Sequence, residues 1–171
     1  MPVALPFRPA YVETGVNPVA IHYVVKSGED FVRGAPMTNN AGEVDELDTA
    51  DVTLIVGVAG AADASAYGYD MGDSPTVITG RANTVPVWRA TRDTVFMGQI
   101  STGATLVVPA AADVNGTGYG VIRQSDGTWT VNRSDTTTKT VRVIDFVLQG
   151  PECADQYGLV YFKFLESTLA S

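Results

Sequence analysis

Gly118 to Arg133 reads GYGVIRQSDGTWTVNR, two runs of alternating apolar and polar residues on either side of Ser125-Asp126-Gly127-Thr128. Successive side chains of a strand point to opposite faces, and a short Asp-Gly loop between two such runs is a strong local signal for a hairpin. Tyr119 and Val121 are therefore expected to share a face with Trp129 and Val131 across the hairpin. Downstream, a threonine stretch (Thr136 to Thr138) precedes Val141 to Leu148, a run apolar on both faces except for Arg142 and Asp145. That pattern predicts a central strand. The chain closes on LVYFKFLES, where Val160, Phe162 and Phe164 form an inward row and Lys163 turns outward. The last third is built to make a sheet.

The same reading extends upstream. AIHYVVK (Ala20 to Lys26) predicts a strand, Ser27 to Asp30 a turn, and FVRGAPMT a further extended run. VDEL then leads into VTLIVGVA (Val52 to Ala59), whose length and Val/Ile content suit a buried strand rather than a helix. Ala61 to Ala66 is the one helix candidate, because alanine is the best helix former. TVITG, VPVWRA and TVFMGQI are three more short β-prone runs, and 17 glycines supply turns between them. Short strands between such turns predict a mainly β chain: a single small antiparallel β-barrel or sandwich over residues 19–171, with one short helix.

Residues 1–18 are expected to form an extended N-terminal arm. Prolines at positions 2, 6 and 9 forbid a helix and weaken any central strand. Leu5, Phe7, Tyr11 and Val12 nevertheless give the arm apolar side chains that water disfavours. Three readings fit: packing along its own domain, docking on a neighbouring subunit or larger surface, or simple disorder. Under the second, Phe7, Arg8 and Tyr11 are the candidate contact residues, since aromatics and Arg are favoured at interfaces. Deletion of residues 1–15 is then expected to leave a folded body that no longer binds.

Composition narrows the function classes. A chain of 171 residues suits one domain and can bury roughly 70% of the surface its unfolded form exposes. Its single cysteine, Cys153, cannot form an internal disulfide, and no basic neighbour is present to activate the thiol. With 19 acidic against 11 basic residues, a net charge of −8 and no basic cluster, nucleic-acid binding is not expected. The N-terminal stretch lacks the basic and apolar regions of a signal peptide, so no export route is expected from it. Leu54 to Ala62, the longest apolar run, is too short to span a membrane.

Catalytic and metal chemistry find little support. His22 is the only histidine; it falls in a predicted strand, and no G-x-S-x-G elbow presents a serine to it. One His and one Cys do not make a tetrahedral zinc set. Asp113-Val-Asn115-Gly-Thr117-Gly118 spaces oxygen side chains like the start of a calcium loop, but position twelve is Gln124 rather than a bidentate carboxylate. Turn chemistry accounts for it equally well. Gly57-Val58-Ala59-Gly60 matches no phosphate-binding pattern and is expected to bend the chain at a strand end. Asp45, Glu46 and Asp48 could pair as glycosidase carboxylates but are expected to lie in a solvated loop. No catalytic residue, cofactor or metal ligand is expected.

Two stretches carry a resemblance. KSGEDFVRGAPMT followed by ADVTLIVGVAGAADASA resembles the N-terminal half of tailed-bacteriophage capsid decoration (cement, or head-stabilising) proteins. GYGVIRQSDGTWTVNRSDTTTKTVRVIDF and GLVYFKFL are similar to the closing strands of small phage head proteins. Residues Tyr67 to Ser101 lie outside the resemblance. It implies a β-barrel-like body, made in the host cytoplasm, that assembles on the capsid exterior, often as trimers, and bridges major capsid subunits. The alternatives are another virion component (tail, neck or fibre attachment) or a carbohydrate-binding module with Trp88 or Trp129 as its sugar platform.

Overall fold

The computed structural model describes residues 5–49, 52–61, 84–114, 116–147 and 158–170, and among these the regular structure is twelve strands and two three-residue 3-10 turns. In chain order the strands are β1 (Arg8–Val12), β2 (Ala20–Val24), β3 (Pro36–Asn40), β4 (Glu43–Glu46), β5 (Ile55–Ala59), β6 (Thr84–Arg89), β7 (Thr94–Thr102), β8 (Thr105–Leu106), β9 (Gly120–Arg123), β10 (Trp129–Asn132), β11 (Val141–Phe146) and β12 (Leu159–Phe164). The fold is mainly β, as the alternation predicts. The helix expected over Ala61 to Ala66, the TVITG run, Cys153 and Asn115 of the calcium-like loop lie wholly or largely outside the described residues.

Two sheets share one core. The first runs β11-β12-β7-β10-β9, with β1 and β8 also paired to β7; the second runs β2-β6-β5-β3-β4. All pairings between named strands are antiparallel except β10 on β7. In each sheet the two outer strands meet at a single bridge, Tyr119↔Val141 in the first and Val25↔Val44 in the second. Neither is a closed barrel, but each contact occupies backbone groups that an open edge would leave unpaired. A further bridge, Ile55↔Leu169, and the Ala170 N–H donating to the Ile55 carbonyl at 2.9 Å tie the chain's end to the second sheet.

The hairpin forms as its sequence dictates. Val131 lies opposite Val121 and Trp129 opposite Arg123, so Tyr119, Val121, Trp129 and Val131 all reach the core. Gly127 takes φ +85° after the Ser125-Asp126 turn, a conformation that costs glycine little. On β12, Val160, Phe162 and Phe164 point inward, and Phe96 joins them in a cluster of stacked and edge-on rings. β11, by contrast, is an outer strand rather than a central one. Its register shifts between Val143 and Asp145, and the extra Ile144 makes the string read as apolar on both faces.

Two further expectations change. Glu43–Glu46 is a strand, not a solvated loop, with Asp45 and Glu46 half-buried. Gly57 to Ala59 stay within β5, and the expected bend falls only after them, at Gly60 and Ala61. At Gly57 the reason for glycine is close backbone approach: an added Cβ would sit 2.0 Å from the Trp88 carbonyl oxygen. Gly57→Ala is therefore expected to lower stability by about 1–3 kcal/mol, as overpacking does, in a urea unfolding experiment. Wild-type stability in that variant would show that the β5–β6 pair yields easily.

The arm packs along its own domain, one of the destinations open to it: residues 8–12 form strand β1, paired along β7 from Arg8↔Met97 to Val12↔Thr94 with a shift between Pro9 and Tyr11. Proline is tolerated there because β1 pairs on one side only. Phe7 is only 2% exposed and belongs to the core. Its ring lies 4.7 Å from that of Phe162, over Gly98, where a Cβ would come within 2.4 Å of it. On the other side Gly34, at φ +89°, leaves room for the Pro6–Phe7 backbone.

Candidate interaction surface

The outward-facing row of the first sheet follows from its register. Arg8 pairs with Met97, Met97 with Tyr161, and Tyr161 with Asp145, so these four residues cross β1, β7, β12 and β11 at one level. Arg8 Nε donates to Met97 Sδ at 2.9 Å. The bulge after Pro9 sets Tyr11 opposite Val95, and its ring meets Tyr161 edge-on with centroids 5.7 Å apart. Partial burial first, then the nearby Glu13, Tyr161 and Asp145, push the Tyr11 phenol above its ordinary pKa, which keeps it a neutral donor. Beyond the tyrosines Lys163 forms an ion pair with Glu13, clipping the end of the arm to β12.

The three candidate contact residues thus part company. Arg8 and Tyr11 lie exposed on this face, Tyr11 with 43% of its surface accessible. Phe7 does not: its side chain is spent in the core, so it anchors the face rather than belonging to it. Sequence reasoning missed Met97 and Tyr161. The inward row of β12 already implied an outward Tyr161, but nothing in the string tied Met97 to Arg8.

Apolar exposure concentrates in the same part of the molecule. Leu5, Tyr11, Val16 and Val19 are all exposed, the last two at 60% and 59%. Val12, Val16, Val19 and Ile21 line an open groove of about 400 Å³ against Arg89 and Thr91 to Thr94. Residues 5–21 therefore carry both a buried anchor and a broad apolar surface.

No protein-family model, curated protein or solved structure matches this chain. Among the described residues no group of three His, Cys, Asp or Glu is placed to hold a metal ion, and no helix is long and apolar enough to cross a membrane. His22 is exposed on β2. Trp129 is buried and donates its indole N–H to Glu46 Oε1 at 2.8 Å, so it offers no platform to a sugar; Trp88 is half-buried against the core.

That indole bond belongs to the main polar tie between the sheets. Glu46 on β4 also pairs with Arg123 on β9 at 3.3 Å, and Arg123 donates to the Asp30 carbonyl at 3.2 Å. Burial raises the Glu46 pKa and outweighs the opposing pull of Trp129 and Arg123, with Glu29 and Asp30 adding to the rise. The folded protein therefore holds this proton at pH values where the unfolded chain has lost it. Stability from this group falls as pH rises through a window above the ordinary value of 4.5. Glu46→Gln keeps an acceptor for the indole and removes the titration. Its stability relative to wild type is expected to increase with pH across that window; a difference flat from roughly pH 4 to 7 would contradict the assignment.

Asp45, next to it, behaves oppositely. Burial alone would raise its pKa, but hydrogen bonds from Asn40, Thr38 and Lys26 together outweigh burial and lower it. The Thr38 and Lys26 contacts, at 2.7 and 3.0 Å, hold β3, β4 and the end of β2 in register. Its contribution is present above the ordinary value of 3.8 and is lost as pH falls through the lowered one.

Proposed function

We propose that this chain is a structural virion protein that binds the outer surface of an assembled bacteriophage capsid, bridging and stabilising major capsid subunits without catalysing a reaction. The observation that carries the reading is the outward face of Arg8, Tyr11, Met97 and Tyr161, held in place by a buried anchor at Phe7. Arg, Tyr and Met are the residue types enriched at protein interfaces, and rigid aromatic anchors supply most binding energy there. The groove along Val12 to Ile21 extends this surface with apolar area suited to a second copy or a capsid subunit.

The mechanism is linkage. A protein that binds the assembled lattice better than free subunits shifts the equilibrium toward the lattice, by about 2.7 kcal/mol per site at a hundredfold excess over Kd. Repeated over many sites, modest contacts oppose the pressure of packaged DNA. Copies at a net charge of −8 repel one another when free, which keeps them soluble until a complementary surface is present.

The test compares wild type with Tyr11→Ser and Arg8→Gln in cosedimentation with expanded capsids. Both side chains are exposed, so the variants are expected to keep the wild-type unfolding midpoint. Loss of one interface hot spot costs about 2 kcal/mol, roughly a 30-fold rise in Kd. Unchanged binding in both variants would rule out this face as the contact.

A further inference from the structure

A second feature of the first sheet is electrostatic. Arg142 on β11 and Lys163 on β12 lie directly opposite each other. Like charges at opposed positions of an antiparallel pair destabilise it. With Arg92 from the turn before β7 they line an open pocket of about 360 Å³, together with the carboxylates of Asp93 and Glu166 and the side chains of Phe164 and Leu165. Three of the chain's 11 basic residues thus converge on one pocket of a protein with a net charge of −8.

Two of these cations have carboxylate partners of their own, which leaves Arg142 as the cation the proposal turns on. Lys163 pairs with Glu13, which is itself 47% exposed, and Arg92 contacts its neighbour Asp93 at 3.6 Å while remaining largely in solvent. Among the described residues no carboxylate lies within ion-pair distance of Arg142. The Arg142 guanidinium is a planar fork of donors suited to two oxygens of one anion, and the Lys163 ammonium adds a point charge across the strand pair.

We propose that the Arg92–Arg142–Lys163 pocket binds an oxyanion of the phosphate or carboxylate type, which neutralises the opposed cations of β11 and β12. Such a ligand turns a repulsive cross-strand pair into two charge-assisted contacts. It does not depend on the capsid reading: the pocket would take the anion free in solution or as the acidic group of a larger partner.

The test is thermal unfolding of the full chain in phosphate, in succinate and in chloride at matched ionic strength. Wild type is expected to show a concentration-dependent rise in midpoint with phosphate, succinate or both, relative to chloride. Arg142→Gln is expected to lose that rise while matching or exceeding the wild-type midpoint in chloride, because it removes the like-charge pair. General exclusion of phosphate from protein surfaces raises both proteins equally, so the difference between them is the readout. A response to phosphate alone identifies a tetrahedral oxyanion, and a response to succinate identifies carboxylate chemistry. Should Arg142→Gln fold poorly, Arg92→Gln, in a largely exposed side chain, gives the same comparison. An anion response equal in wild type and variants, or absent from wild type, overturns the proposal.

Discussion

Phe7→Ala is expected to destabilise the protein by about 3–5 kcal/mol, the cost of emptying a buried phenylalanine site. The ring fills the space over Gly98 and packs against Phe162, whose own neighbours are Phe96 and Phe164. Few residues could collapse into the gap, because Gly98 has no side chain and β7 is held on both sides by β1 and β12. The loss would also loosen β1, which reaches β7 immediately after Phe7. Equilibrium urea unfolding of the variant measures it, and a loss below about 1 kcal/mol would mean that the arm is not part of the folding unit. The same reasoning revises the truncation experiment. Deletion of residues 1–15 removes Phe7 and all of β1, so the expected product is a destabilised body, and loss of binding by it would say nothing about contacts. Point changes at Arg8 and Tyr11 separate the two effects.

Arg133→Met is the second large effect, expected at about 3–5 kcal/mol because it leaves a buried carboxylate without its counter-charge. Asp113, 2% exposed, ends the 3-10 turn Ala111–Asp113 and forms an ion pair with Arg133. It also accepts hydrogen bonds from the Ala110 N–H at 2.6 Å and the Tyr119 hydroxyl at 3.1 Å. Arg133 donates in addition to the Val108 carbonyl at 2.8 Å, so the pair pins the 107–119 connection against β10. Burial first, then Asp113, raises the Tyr119 pKa and keeps its hydroxyl a donor to the carboxylate. The two remaining hydrogen bonds favour the lower end of the range. Asp113→Asn combined with Arg133→Met removes the stranded charge and is expected to recover part of the loss. Equal stability of the single and double variants would contradict a charge-based origin.

Much of the first sheet was legible in the string because strand periodicity is local. Alternation in Tyr119 to Val131 and in Val160 to Phe164 set which side chains face the core, and Ser125-Asp126-Gly127 set the turn between β9 and β10. The errors came where a distant partner decides. β4 carries three acidic residues among its four, so it reads as a solvated loop until Trp129 and Arg123 close over Glu46. β11 reads as central because a bulge at Ile144 hides its alternation. Phe7 sits among prolines, and its burial depends on the gap at Gly98, which no local pattern announces. The candidate face was half legible: the residue types of Arg8 and Tyr11 pointed to contact, whereas their alignment with Met97 and Tyr161 required the register of three strand pairs.

Quantitative mass spectrometry of purified virions, scaling this chain against the major capsid protein, tests the central proposal most directly. A lattice-wide capsid-binding protein predicts a simple ratio to capsid subunits. A copy number far below that, as in a single ring at the neck or tail, or absence from the particle, would contradict it.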